Sequence, residues 1–195
     1  MNENPEVQNE LENNKEQKKH RKNDGGGTLE WLQCIVSGLI VCILIFTFFA
    51  RVIGVVGGSM LPTLEEGDRL IISKLFYKPK YGDIVVLRKE SFKKDPIIKR
   101  VIATEGQTVD IDFESGIVYV DDVPLDEPYV NSPTNEVEDF DEAITVPEGC
   151  VFVLGDNRNR STDSRSDLIA CVDTRLILGK AYLRIAPFNK FGLMN

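Results

Sequence analysis

Twenty consecutive residues without a charged side chain, Trp31 to Ala50 (WLQCIVSGLIVCILIFTFFA), constrain this chain more than any other feature. About 20 apolar residues at 1.5 Å per residue cross the hydrocarbon core of a bilayer as a helix. The stretch is apolar on every face and carries a tryptophan at its edge, where interfacial aromatics gather, which argues against a buried core helix. A cleavable leader has a shorter apolar region after a short basic start; here some 30 polar residues come first. The expectation is an uncleaved transmembrane helix over 31–53. Residues 1–27, rich in Asn, Glu and Lys and ending in Gly25-Gly26-Gly27, lack the apolar side chains to bury a core, and a disordered tail is expected over 1–30. Lys15, Lys18, Lys19, Arg21 and Lys22 precede the span and only Arg51 closely follows it. The positive-inside rule then predicts a single-pass protein of the cell membrane, with a cytoplasmic N-terminus and an extracytoplasmic domain over 54–195.

Charge and histidine content narrow the chemistry. The net charge of −8 implies no basic face, so nucleic acid is not an expected partner. The single histidine, His20, lies in the polar tail. Hydrolases built on Ser-His-Asp or Cys-His need an imidazole beside the nucleophile, and zinc hydrolases usually need two or three. On the expected topology His20 is across the membrane from the rest. The four cysteines have no metal-binding spacing; a Cys150–Cys171 disulfide is one option outside the cytoplasm, but sequence does not set the distance between them.

Beyond the span the pattern is β. RLIIS (69–73), DIVVLR (83–88), IIKRVIAT (97–104), TVDID (108–112), IVYVD (117–121), CVFVLG (150–155) and KAYLRIA (180–186) are short β-branched or aromatic runs. Turn signals such as Tyr81-Gly82-Asp83, Glu105-Gly106 and Pro147-Glu148-Gly149 separate them. Residues 131–143, NSPTNEVEDFDEA, show no apolar period and are expected to be a solvated acidic loop.

Without an imidazole, a serine can be activated by a neutral lysine, given burial that disfavours the ammonium form. Most lysines lie among charges or turns. Lys99 differs: in a strand, Ile97, Lys99 and Val101 share one face, so the amine is embedded among apolar neighbours. The alternative is a lysine snorkelling from an edge strand. The serine candidate is Ser59 in VVGGSMLPTL, a few residues past the span. Two glycines before it permit close approach of a backbone; the alternative is a Gly-Gly-Ser linker. A third segment, GDNRNRSTDSR (155–165), is dense in polar groups directly after an apolar strand. It is either a surface loop or a network supporting a catalytic group.

Together these segments resemble the type I signal peptidases, particularly the bacterial single-anchor forms. Gly58-Ser59-Met60 with Pro62-Thr63-Leu64 is similar to the nucleophile segment, and Gly82-Asp83-Ile84-Val85-Val86 to a substrate-pairing strand. Lys99-Arg100-Val101-Ile102-Ala103 with Gly106 resembles the general-base segment. Gly155-Asp156-Asn157-Arg158, then Ser161, Asp163, Ser164 and Arg165, resembles the final box. The resemblance implies a mainly β, antiparallel catalytic domain after one transmembrane helix, and removal of signal peptides from exported preproteins. It implies Ser59 as nucleophile and Lys99 as base, with Ser161 orienting Lys99 and Asp163 and Arg165 holding that region. Gly57 stands where some members carry a serine hydroxyl as oxyanion donor, which leaves that task to a backbone N–H. Substrate contacts are expected from Ile53, Val55, Met60, Ile84, Val86 and Ile98, with the substrate paired to strand 83–88 and small residues at P1 and P3. The implied partners are preproteins and the lipid bilayer; no metal or organic cofactor is implied. A Ser-Lys peptidase of narrow substrate range, a self-cleaving repressor and an inactive anchored binding module remain as rivals.

Overall fold

The structure, a computed structural model, describes residues 27–44 and 50–194. The expected tail up to residue 26, including His20, and residues 45–49 of the expected span lie outside the described residues. The chain divides into two units, one before and one after about residue 48.

The first unit is a helix, α1, over Gly27–Leu44, long and apolar enough to cross a membrane. Its side chains are exposed on all faces, so no soluble core of the described residues accounts for its hydrophobicity. The helix begins four residues before the expected boundary, taking in part of the expected tail.

The second unit is antiparallel β throughout. Its strands are β1 (Arg51–Gly54), β2 (Arg69–Ser73), β3 (Ile84–Leu87), β4 (Ile97–Thr104), β5 (Thr108–Asp112), β6 (Ile117–Val120), β7 (Val123–Pro124), β8 (Ile144–Thr145), β9 (Cys150–Leu154), β10 (Val172–Asp173), β11 (Ile177–Ala186) and β12 (Gly192–Leu193). The large sheet runs β1-β2-β11-β3-β4-β9-β10, with β12 also on β11; the small sheet runs β7-β6-β5-β8. The mainly antiparallel β fold expected from the sequence is what the chain adopts.

The expectation of a span reaching residue 53 is corrected. Arg51–Gly54 is an extended edge strand paired with β2, Arg51 opposite Ile72 and Ile53 opposite Leu70. The charged Arg51 ends the apolar run, and the residues after it satisfy their backbone groups across the sheet rather than along a helix.

Burial follows strand position. β3 lies between β11 and β4, and all four of its side chains are buried. β5 lies in the small sheet and alternates, Val109 and Ile111 inward, Asp110 and Asp112 outward. Three apolar clusters result. One joins Met60, Leu64, Leu70 and Val86; a second packs the small sheet on Phe140 and Phe152; a third gathers Val85, Val101, Val153 and Ile177. Gly179 lets β11 approach β2 closely, because a Cβ there would lie 2.9 Å from the Ser73 carbonyl carbon and oxygen.

Residues 131–143 are the largely exposed loop expected, but two of its side chains are anchored in the protein. Thr134 and Phe140 are buried, and Phe140 meets Phe113 and Phe152 edge to face with centroids 5.9 and 6.0 Å away. Asp139 accepts hydrogen bonds from the Ser166 hydroxyl at 2.8 Å and the Asp167 N–H at 3.0 Å. Two buried side chains six residues apart fit neither a strand nor a helix period, so tertiary packing explains their burial. Cys150 and Cys171 are free thiols at the edge of the second cluster. Burial and the neighbouring Cys150 push the Cys171 thiol up to about 11.

Candidate active site

Lys99 sits in the middle of the large sheet, opposite Val85 of β3, and is only 3% exposed. The snorkelling alternative needs an edge strand, and β4 has β3 on one side and β9 on the other. The Lys99 Nζ donates to Ser161 Oγ at 2.8 Å, and Ser161 Oγ donates to Asp163 Oδ2 at 2.8 Å. The Gly155 N–H donates to the same carboxylate oxygen at 2.9 Å. Arg165 meets Asp163 through Nε at 2.8 Å and Nη2 at 3.0 Å, and its remaining N–H groups reach the carbonyls of Arg158 and Glu136, both at 2.6 Å. Asp163 and Arg165 are almost wholly buried. Such a pair is tolerated because each of its buried nitrogens and oxygens has a hydrogen-bond partner.

Burial pulls the Lys99 amine down from 10.5 to about 8, against the opposing pull of the Asp163 and Glu138 carboxylates. About a tenth of the molecules then carry a neutral amine at pH 7. A neutral lysine is a competent proton acceptor, and the Ser161 hydroxyl holds it in one orientation.

Ser59 is half-buried in the turn that follows β1. Met60 and Leu64 anchor this turn in the first apolar cluster, with Leu64 N–H donating to the Met60 carbonyl at 2.9 Å. The Thr63 hydroxyl donates to Asp156 Oδ2 at 2.5 Å. Asp156 also receives two bonds from Arg100, at 2.8 and 2.7 Å, and the Arg100 guanidinium stacks on the Tyr129 ring 3.9 Å from its centroid. Asn157 donates from its backbone to the Ser59 carbonyl at 3.0 Å and from its side chain to the Gly58 carbonyl at 2.9 Å. Gly155 lies between the two halves: a Cβ there would fall 2.1 Å from Ser161 Oγ and 2.5 Å from the Ser59 carbonyl oxygen.

Ser59 and Lys99 line one cleft of about 510 Å³. One wall is Val52–Met60; the other includes Phe92, Lys93 and Asp95–Lys99, with Arg160 and Thr162 beside them. Of the residues expected to touch substrate, Ile53, Val55, Met60 and Ile98 lie on this cleft, and so does Gly57. Ile84 and Val86 do not: they are packed in the first apolar cluster. Pairing of a substrate with strand 83–88 is also corrected, since β3 is hydrogen-bonded to β11 on one side and β4 on the other and has no free edge. β1, at the end of the sheet, does. Sequence reading singled out Gly155-Asp156-Asn157-Arg158 but not their partners, and it missed Glu127, which pairs with the buried Arg158 at 2.6 and 2.7 Å. The partners of Asp156, Asn157 and Arg158 named here are 31 to 99 residues away, beyond any local pattern. Among the described residues no group of three or more His, Cys, Asp or Glu side chains could hold a metal ion.

The family profile of signal peptidases, peptidase S26, matches residues 28–186. A probable signal peptidase I-1 of Synechocystis is 37% identical over 173 residues, 84% of this chain and 85% of its own. Signal peptidase I T of Bacillus subtilis is 33% identical over 189 residues, 92% of this chain and 96% of its own. A crystal structure of a signal peptidase I from Enterococcus faecalis aligns at 32% identity, with a TM-score of 0.44, over 53% of this chain and 97% of that one. The chain belongs to the signal peptidase family and is a serine peptidase.

Proposed function

We propose that this protein removes signal peptides from exported preproteins through a Ser59–Lys99 dyad. The carrying observation is the buried Lys99 amine, hydrogen-bonded to Ser161, on the cleft that Ser59 also lines. Neutral Lys99 takes the Ser59 proton as Oγ attacks the scissile carbonyl. The oxyanion is held by the Ser59 N–H, since Gly57 has no hydroxyl to offer. The Lys99 ammonium then protonates the departing amine, leaving an acyl-enzyme. Water, giving its proton to Lys99, releases the acyl group as a carboxylate and restores Ser59.

The preprotein lies extended between the free edge of β1 and the segment 95–98, adding to the sheet by backbone pairing. Ile53, Val55, Met60 and Ile98 make shallow apolar surfaces that accept small P1 and P3 side chains, the A-x-A pattern of cleavage sites. α1 anchors the enzyme in the bilayer, with the Lys/Arg cluster that precedes it cytoplasmic and the β unit outside. Confinement to the surface that holds the substrate raises the effective concentration of both.

Purified protein incubated with an A-x-A preprotein, with the new N-terminus mapped by mass spectrometry, tests this. Cleavage directly after the second alanine is expected, with Ser59→Ala and Lys99→Ala each slower by at least about 10³-fold. Below pH 8 the rate should fall about tenfold per pH unit as Lys99 protonates. Full activity in Lys99→Ala would remove the base; a cutting Ser59→Ala would remove the nucleophile.

A further inference from the structure

The Asn157 carboxamide donates to the Gly58 carbonyl at 2.9 Å, while the Asn157 N–H donates to the Ser59 carbonyl at 3.0 Å. One residue thus grips both peptide units that flank the nucleophile. The Gly58–Ser59 peptide is trans, the described cis bonds lying elsewhere. In a planar trans peptide the C=O and the next N–H point in opposite directions. Drawing the Gly58 carbonyl toward Asn157 therefore turns the Ser59 N–H away from Asn157. Gly58 has no side chain to restrict its ψ, so this peptide would rotate easily without an external hold. The Gly58 carbonyl also accepts from Leu61 N–H, but at 3.3 Å and within its own turn.

Resting on the function proposed above, we infer that Asn157 is the positioning residue of the oxyanion site: its carboxamide fixes the plane of the Gly58–Ser59 peptide and so aims the Ser59 N–H at the developing oxyanion. Asn157 does not line the cleft that Ser59 and Lys99 share. Its neighbour Asp156 is held by Arg100 and Thr63, so the grip has a rigid base. This gives the segment 155–165 two separable tasks: Ser161 and Asp163 orient the amine, and Asn157 orients the N–H.

Two variants separate positioning from packing. Asn157→Ala deletes the carboxamide and keeps the backbone bond to Ser59. Asn157→Asp keeps the size and replaces the donor by an acceptor that repels the Gly58 carbonyl. Both should lower kcat by about 10- to 100-fold, Asp at least as much as Ala, with KM within about twofold. The alkaline rise of the pH–rate profile should stay where wild type has it. A peptide aldehyde, which forms a tetrahedral adduct with Ser59, should lose affinity by the same factor as kcat, whereas the product peptide ending in the A-x-A carboxylate should bind as to wild type. The inference is overturned if Asn157→Asp matches wild type, or if aldehyde and product peptide weaken together with a fall in Tm. Ser59→Ala separates the two levels. If it is inactive while Asn157→Ala is unchanged, only the inference falls; if it cuts like wild type, the proposed function falls and the inference with it.

Discussion

The surroundings of Lys99 and the β1 side of the cleft are built in opposite ways. Behind Lys99 the protein is dry and crowded: Lys99, Asp163 and Arg165 are each at most 3% exposed and tied by charge-assisted bonds. The facing wall is an edge strand running into an open turn, with Val52 59% and Val56 77% exposed. The contrast follows from what each must do. An amine stays neutral only where water is excluded and its neighbours cannot rearrange. A strand that receives a peptide needs unpaired backbone groups and accessible side chains.

The largest expected effect tests the crowded side. Asp163→Asn leaves the Arg165 guanidinium buried without its counter-charge, and should destabilise the β unit by about 3–5 kcal/mol in denaturant unfolding. A loss under about 1 kcal/mol would mean that side is held by packing alone. The next effect has the opposite sign. Lys99 is the member that burial disfavours, so Lys99→Met should abolish cleavage yet raise stability at pH 7 by up to about 3 kcal/mol, less the lost bond to Ser161. In wild type the folded amine releases its proton at about 8 and the unfolded one at 10.5. Between those values the unfolded chain binds more protons, so wild-type stability climbs with pH and the advantage of Lys99→Met shrinks to nothing above 10.5. A gap that is constant from pH 7 to 11 would contradict the buried-amine account. The smallest effect belongs to the open wall. Val56→Thr should change stability by less than about 0.5 kcal/mol while shifting KM severalfold; an equal shift in Tm would show that wall to be structural too.

How much of this was legible in the sequence varies with the range of the interaction. RLIIS, IIKRVIAT and TVDID match β2, β4 and β5 to the residue, because β-branched runs between turn signals are a local cue. The two-residue strands β7, β8, β10 and β12 carry no such run and exist only through their partners. β1 was hidden because its apolar residues continue those of the span. In the site, Lys99 was legible as a charge on an apolar strand, and Ser161 and Asp163 through resemblance. Ile84 and Val86 were misassigned because an apolar strand near a family motif reads the same whether it faces a cleft or the core beneath it. Phe140 and Thr134, buried in a stretch that looks soluble, and Asn157, whose role depends on two carbonyls nearly a hundred residues earlier, have no one-dimensional signature.

A side chain at Gly155 would collide with both the Ser161 hydroxyl and the carbonyl of Ser59, so the two segments meet across a glycine. The hydroxyl that holds the Lys99 amine and the backbone of Ser59 are therefore both packed against one residue. On the proposed function, a displacement of the 155–166 segment would disturb the surroundings of Lys99 and of Ser59 together. Variation between substrates would then be met at the free edge of β1, away from that shared contact.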